Sequence, residues 1–175
     1  DPGIYNPKIA EFDQIVHDAG GLCAYDQANA NGILGITRAK EAGFDLCHFN
    51  LHKTFSTPHG CGGPGGGVVG ATEELARFLP APVVGYDGER YHLDWDRPES
   101  IGKIGPFYGN ASVVLRAYAW VMNLGADGLR EVAETAVLNN NYLLNRMLEI
   151  QGVSAPYAKG KRRIEQVRYS WQELA

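Results

Sequence analysis

Cysteine is scarce here, and odd in number. Three in 175 residues (Cys23, Cys47 and Cys61) cannot build a disulfide framework, which points to a reducing compartment and a cytoplasmic protein. Cys23 and Cys47 sit in apolar runs and read as small buried residues. No Cys-x-x-Cys pair exists to hold zinc. His48, His52, His59, Cys47 and Cys61 are close in sequence, but His48 and His52 would share a face only on a helix, and "LCHFNL" reads as a strand. Long hydrophobic runs are missing too: none approaches the roughly 20 residues of a membrane span, and no secretory signal is visible. Charge of one sign is not concentrated. Sixteen Lys and Arg stand against twenty Asp and Glu, a net charge of -4, and the basic residues read as scattered. That excludes a nucleic-acid stripe and a membrane patch. There is no Gly-x-Ser-x-Gly turn for a serine hydrolase.

What the chain has in quantity is apolar residues, at 45%, and glycine, at 22 residues. Its length allows one domain with its own core. "PKIAEFDQIVHDAGG" places Ile9, Phe12, Ile15, Val16 and Ala19 at helical spacing, and Gly20-Gly21 closes that helix. "LCAYD" predicts a short strand ending in Asp26. "TRAKEAGF" predicts a weak helix closed by Gly43, and "DLCHFNL" a second strand ending near Lys53. "GGVVGA" predicts a third strand, and "TEELARFL" a helix capped by Thr72 with acidic residues in its first turn. Residues 87–97 read as a polar, aromatic hairpin or excursion. Two helices follow, the second with Leu129, Val132, Ala136, Leu143, Met147 and Ile150 near one face, and "RIEQVRYSW" alternates like a strand. This succession predicts an α/β sheet flanked by helices. The chain begins at Asp1 rather than Met, and both ends read as cuts in a longer protein.

The unusual stretch is "FNLHKTFSTPHGCGGPGGG", residues 49–67, with one lysine before a loop almost free of side chains. The loop lacks the Lys-Ser/Thr ending of a P-loop and precedes a strand rather than a helix. Asp26 ends one buried strand and Lys53 follows the next, so both are expected at one crevice outside the carboxyl ends of the strands. Two readings stay open. One is a structural ion pair. The other is a pyridoxal phosphate site, with Lys53 forming the Schiff base and Asp26 partnering the pyridinium nitrogen. A long glycine-rich connection permits close backbone approach, and residues 56–66 are expected to be more mobile than the strands.

"VHDAGGLCAYDQANANGILG" together with "GFDLCHFNLHKTFSTPHGCGGPGGGVVG" resembles the glycine-decarboxylating P-protein family of the glycine cleavage system, subunit 2 of the two-subunit form. The resemblance continues through "FLPAPVV", "SIGKI", "FYGN", "RAYAWVMNLGADGLREVAE" and "AVLNNNYL". A more distant likeness, to serine hydroxymethyltransferase, lies in His-Lys-Thr followed by a Gly/Pro loop. The family implies a fold-type I (aspartate aminotransferase-like) fragment. Residues 1–150 would be the later part of the large pyridoxal phosphate domain, and residues 151–175 the start of the small C-terminal domain. It implies Lys53 as the Schiff-base lysine and Asp26 on the pyridine nitrogen. Ala28 would pack on the ring face, and His52 would line the cofactor. Asn50 belongs to the same motif. The implied reaction is decarboxylation of glycine and transfer of its aminomethyl group to the lipoyl arm of H-protein. P-protein subunit 1 would be a partner in a hetero-oligomer, with no nucleic acid or membrane involved.

Two places depart from the family's pattern: "GPGGG", where larger residues are expected, and Gly105-Pro106, where an Arg-Ser pair is expected. Phosphate-binding and ring-stacking groups are expected upstream of this chain. Trp120 reads as core packing, while Tyr108 and Asn110 border the active site by fold analogy only. Another fold-type I enzyme, a hydroxymethyltransferase or aminotransferase, and a non-catalytic chain that only binds partners both remain open.

Overall fold

The computed structural model describes residues 3–174. Asp1, Pro2 and Ala175, at the outer ends of the two expected domain ranges, lie outside the described residues. Helix α1, Ile9–Asp18, ends as its glycines predict. Gly20 has φ +78°, Gly20 N–H donates to His17 O at 2.8 Å, and Gly21 N–H donates to Val16 O at 2.9 Å. These two bonds satisfy the last carbonyls of the helix in a Schellman motif. Strand β1, Ala24–Gln27, leads through the short helix α2, Ala39–Ala42, into β2, Leu46–Asn50. β2 continues directly into the single turn α3, Leu51–Thr54, and the glycine loop then leads to β3, Gly67–Ala71.

The three strands form one sheet with β2 in the centre. β1 and β2 are parallel, with Asp26 beside His48, and β3 runs antiparallel, with Asn50 beside Gly67. β1 to β2 needs a crossover, which the segment containing α2 provides. Gly70 is required at its place: a Cβ there would lie 2.9 Å from Cys47 Sγ. Cys23 is buried as expected, whereas Cys47 is only half-buried. Burial, and next the Asp13 carboxylate, push the Cys23 thiol pKa up, which keeps it inert.

Asp45 fastens this sheet to α1. Its Oδ2 accepts from Cys23 N–H at 2.7 Å and lies 2.9 Å from His17 Nε2. After β3 comes α4, Glu73–Ala76. Thr72 stands at its N-cap, but the hydroxyl makes no cap hydrogen bond there, contrary to the sequence expectation. Thr72 acts through its backbone, with its N–H on Asp45 O at 2.9 Å and its carbonyl accepting from Ala76 N–H at 3.0 Å.

The expected excursion is a hairpin that starts earlier than its polar residues suggest. β4, Val83–Tyr86, pairs antiparallel with β5, Tyr91–Asp94. Helix α5, Ala111–Leu148, comprises the two expected helices, broken at Gly125 (φ +64°, ψ -174°). The buried residues of its second part are Ala133 and Leu144, while Leu143 is half exposed, so the inward face is offset from the expected one. The cause is tertiary. The segment around Arg163 docks on Asn141, whose side chain bonds both Arg163 N–H and Arg163 O, and that selects the face. The strand expected over "RIEQVRYSW" does not form. Ser170 makes an isolated bridge with Ser154, and the backbone of Arg163 and Ile164 bonds Asn141, Asn140 and Gly3 rather than a neighbouring strand.

The core is smaller than the chain length suggests. The accessible surface is 12416 Å², where a compact monomer of this mass exposes about 8,400 Å². Large apolar side chains stay in water, among them Tyr91 at 77% and Phe107 at 82% exposure. One cluster of Leu51, Val113 and Ala117, with Phe55 against it, joins α3 to α5.

The Cys23 amide, and next the His17 ring, hold the Asp45 carboxyl below its ordinary pKa. A depressed carboxyl stabilises the fold fully above its unfolded value, about 3.9, and loses that contribution as pH falls through the folded value. Asp45→Asn should therefore lower stability at neutral pH and flatten the acid limb below pH ~4 in urea denaturation followed by circular dichroism. An unchanged acid limb would remove Asp45 from this role.

Candidate active site

Helix α3 is one turn long, and its sequence sorts its two sides. Leu51 and Thr54, three positions apart, are both buried. Leu51 packs on Val113 and Ala117. Thr54 Oγ1 accepts from Ala30 N–H at 2.9 Å, tying the loop after β1 to the turn after β2. Thr57, 1% exposed, donates its hydroxyl to Leu51 O at 2.7 Å. Phe55 meets Phe49 and Trp120 edge to face, with centroids 6.1 and 5.9 Å apart. With one side of the turn so anchored, His52 is left half-buried and Lys53 exposed.

Asp26 is near the carboxyl end of β1, at the same edge of the parallel pair that leads into Lys53. Its Oδ1 accepts from Ala28 N–H at 2.9 Å and lies 3.3 Å from Nε2 of His48, its register partner. The structural ion pair of Asp26 with Lys53, one of the two readings left open by the sequence, is not formed among the described residues. Asp26 pairs with His48, which faces it directly across the ladder, and among the described residues Lys53 has no ion pair. Both contacts of Asp26 use Oδ1, which leaves Oδ2 for a further donor. An exposed amine and a carboxylate with a spare acceptor oxygen, on one sheet edge, form a donor set that suits pyridoxal phosphate. Ala28 sits in the turn closed by Asp26. Asn50 occupies the N-cap position of α3, but its side chain makes no cap bond.

His52 joins the turn to both parts of the glycine loop. Its Nδ1 lies 3.1 Å from Gly66 O and 3.2 Å from Gly66 N, and the tautomer sets which of the two it bonds; its ring lies 4.5 Å from that of His59. A Cβ on Gly65 would come 3.2 Å from His52 Nδ1, so glycine there admits the imidazole. Trp120 packs on Phe55, as expected for core. Asn110 caps α5 through Val113 N–H at 3.4 Å, and Tyr108 is surrounded by Trp95 and Lys103. Sequence reasoning missed His48 as the neighbour of Asp26, and Thr54 and Thr57 as the anchors. The Thr that follows Lys53 was the available signal.

A parallel pair with a lysine turn at its carboxyl edge, an antiparallel third strand and a long broken helix make this a part of the fold-type I architecture. The likeness to a solved inhibitor-bound glycine decarboxylase (P-protein) of the glycine cleavage system has a TM-score of 0.69 at 24% identity, over 87% of this chain and 37% of that one. In sequence, the chain is 54% identical over 145 residues to a probable glycine dehydrogenase (decarboxylating) subunit 2 of Caldanaerobacter subterraneus. It is 54% identical over 157 residues to the protein of the same name from Pyrococcus abyssi. These matches take in 83% and 89% of the chain but 30% and 31% of the relatives, so the chain spans about a third of their length. Over that span it is similar to subunit 2 of the decarboxylating glycine dehydrogenases. No protein-family model matches it. Among the described residues, no helix is long and apolar enough to cross a membrane.

Two outcomes test this geometry. Thr54→Val should strand the buried Ala30 N–H at a cost of about 1–3 kcal/mol, with faster hydrogen exchange at amide 30 and recovery in Thr54→Ser. Amides 56–66 should exchange faster than those of β1 and β2, because no regular ladder protects them. Uniform protection across loop and strands would show that the loop is as fixed as the sheet.

Proposed function

We propose that this chain is the lysine-bearing part of a pyridoxal phosphate-dependent glycine decarboxylase, subunit 2 of a two-subunit P-protein. The observation that carries the reading is Lys53, on a turn at the carboxyl edge of the sheet that also presents Asp26. The identity to the subunit 2 relatives supports it. In this reading residues 1–150 belong to the large domain and residues 151–175 open the small one.

Bound pyridoxal phosphate supplies an electron sink for the pair left behind when a carboxylate departs as carbon dioxide. The chain's own residues do the rest. Lys53 would hold the cofactor covalently through its amine, the position the amine of glycine would compete for. Asp26 would accept a hydrogen bond from the ring nitrogen and favour its protonated form. Ala28 offers a small face to the ring, and His52, held by Gly66 and His59, forms a wall beside it. Asn50 completes the lining between strand and turn. The glycine loop would leave room for a lipoyl arm, and the aminomethyl group would go to that arm of H-protein, whose disulfide would be reduced. Subunit 1 would be the partner in a cytoplasmic hetero-oligomer.

The test is reductive labelling with pyridoxal phosphate and borohydride, then digestion and peptide mass. Label should concentrate on Lys53 and vanish in Lys53→Ala. Label spread over Lys8, Lys40, Lys103, Lys159 and Lys161, in the chain alone and in the assembled two-subunit protein alike, would overturn the assignment.

A further inference from the structure

The basic residues are not evenly scattered: "KGKRR", residues 159–163, gathers four of them in five positions. Lys159, Lys161, Arg162 and Arg163 all line one cavity of about 520 Å³ between the end of α5 and residues 153–163. That volume lies in the range of small-molecule sites, about 300–1,000 Å³. Among the described residues, no acidic one lines it. Leu144, Leu148, Val153 and Ala155 line it too, beside the uncharged polar Asn141, Asn145 and Ser154.

Arg163 makes this more than a charged surface, because it is only 4% exposed. Its Nη1 donates to Ala158 O at 2.9 Å and to Lys161 O at 2.6 Å, and its Nη2 donates to Tyr157 O. Ala158 adopts φ +50°, a left-handed conformation costly for alanine, in the loop that wraps the guanidinium. Nε is buried and has no hydrogen-bond partner. Among the described residues, no carboxylate pairs with Arg163. A buried cation satisfied only by carbonyl dipoles keeps its full charge uncompensated, and desolvation makes that expensive. A bound anion at the cavity would offset it.

We propose that this cavity binds an organic anion, a carboxylate or phosphate carried on a short apolar body. The acidic group meets the Lys159–Arg163 side, and the body lies on Leu144, Leu148 and Val153. The site shares no residue with the Asp26 and Lys53 constellation, and the proposal does not depend on the function assigned to that constellation.

The test is a backbone amide NMR titration of the full 175-residue chain with three probes at constant ionic strength. Hexanoate carries both features, inorganic phosphate the charge alone, and hexanol the body alone. Hexanoate should shift amides 158–163 saturably and bind at least about fivefold tighter than either half-probe, since several methylenes leave water. The variant Lys161→Gln/Arg162→Gln changes exposed side chains and spares the Arg163 clamp. It should weaken hexanoate at least about tenfold, with the rest of the spectrum unmoved. Shifts that rise linearly without saturation, that persist in the variant, or that phosphate or hexanol reproduces at equal concentration would overturn the proposal.

Discussion

The proposed site stands on the inward side of a single helical turn. Leu51 and Thr54 are both buried, one by apolar packing on α5 and the other by a hydrogen bond to the loop after β1. A four-residue helix has no stability of its own, because nucleation costs more than one turn returns. The turn therefore exists only because Leu51, Thr54 and the Thr57 hydroxyl hold it against the rest of the fold. The outward residues, His52 and Lys53, inherit their position from that anchoring. Asp26 inherits its position from the same tie, since Ala30 lies four residues further along the loop that Asp26 opens.

Glycine enters this arrangement through close approach. Gly65 lets the His52 imidazole lie against the loop, and Gly66 supplies the backbone group that the imidazole bonds. Gly70 serves the sheet in the same way, by leaving room for Cys47. The loop is thus held at its far end by His52 and near its middle by the stack with His59, while its glycines carry little that could pack. A wall that is tethered at two points and otherwise thin suits a site that must admit a cofactor and a long arm.

The large exposed surface and the small core are one fact seen twice. A three-stranded sheet and a two-stranded hairpin bury few side chains between them, and β3 keeps Val68 and Val69 half in water. Apolar area on this scale is characteristic of surfaces that meet other protein. It agrees with a chain that spans about a third of its relatives' length.

Local features were legible in the residues themselves. The Gly20-Gly21 stop of α1, the two strands that run to Gln27 and Asn50, close to the ends read at Asp26 and near Lys53, the hairpin around residue 90 and the two helices before residue 150 all follow from periodicity and from glycine, which act within a few neighbouring residues. The ion-pair reading of Asp26 with Lys53, a side-chain cap bond from Thr72, the inward face of the second helix and the last strand did not survive. Each depends on contacts far away in the chain: His48 across the ladder, Asp45 behind Thr72, Arg163 on Asn141, and, among the described residues, the lack of a strand beside residues 164–170. Sequence by itself determined which chemical groups stand at the ends of the strands, because spacing and side-chain type are local. Only the tertiary structure decided which of them meet, because pairing, burial and the choice of helix face are set by contacts between segments that no local pattern records.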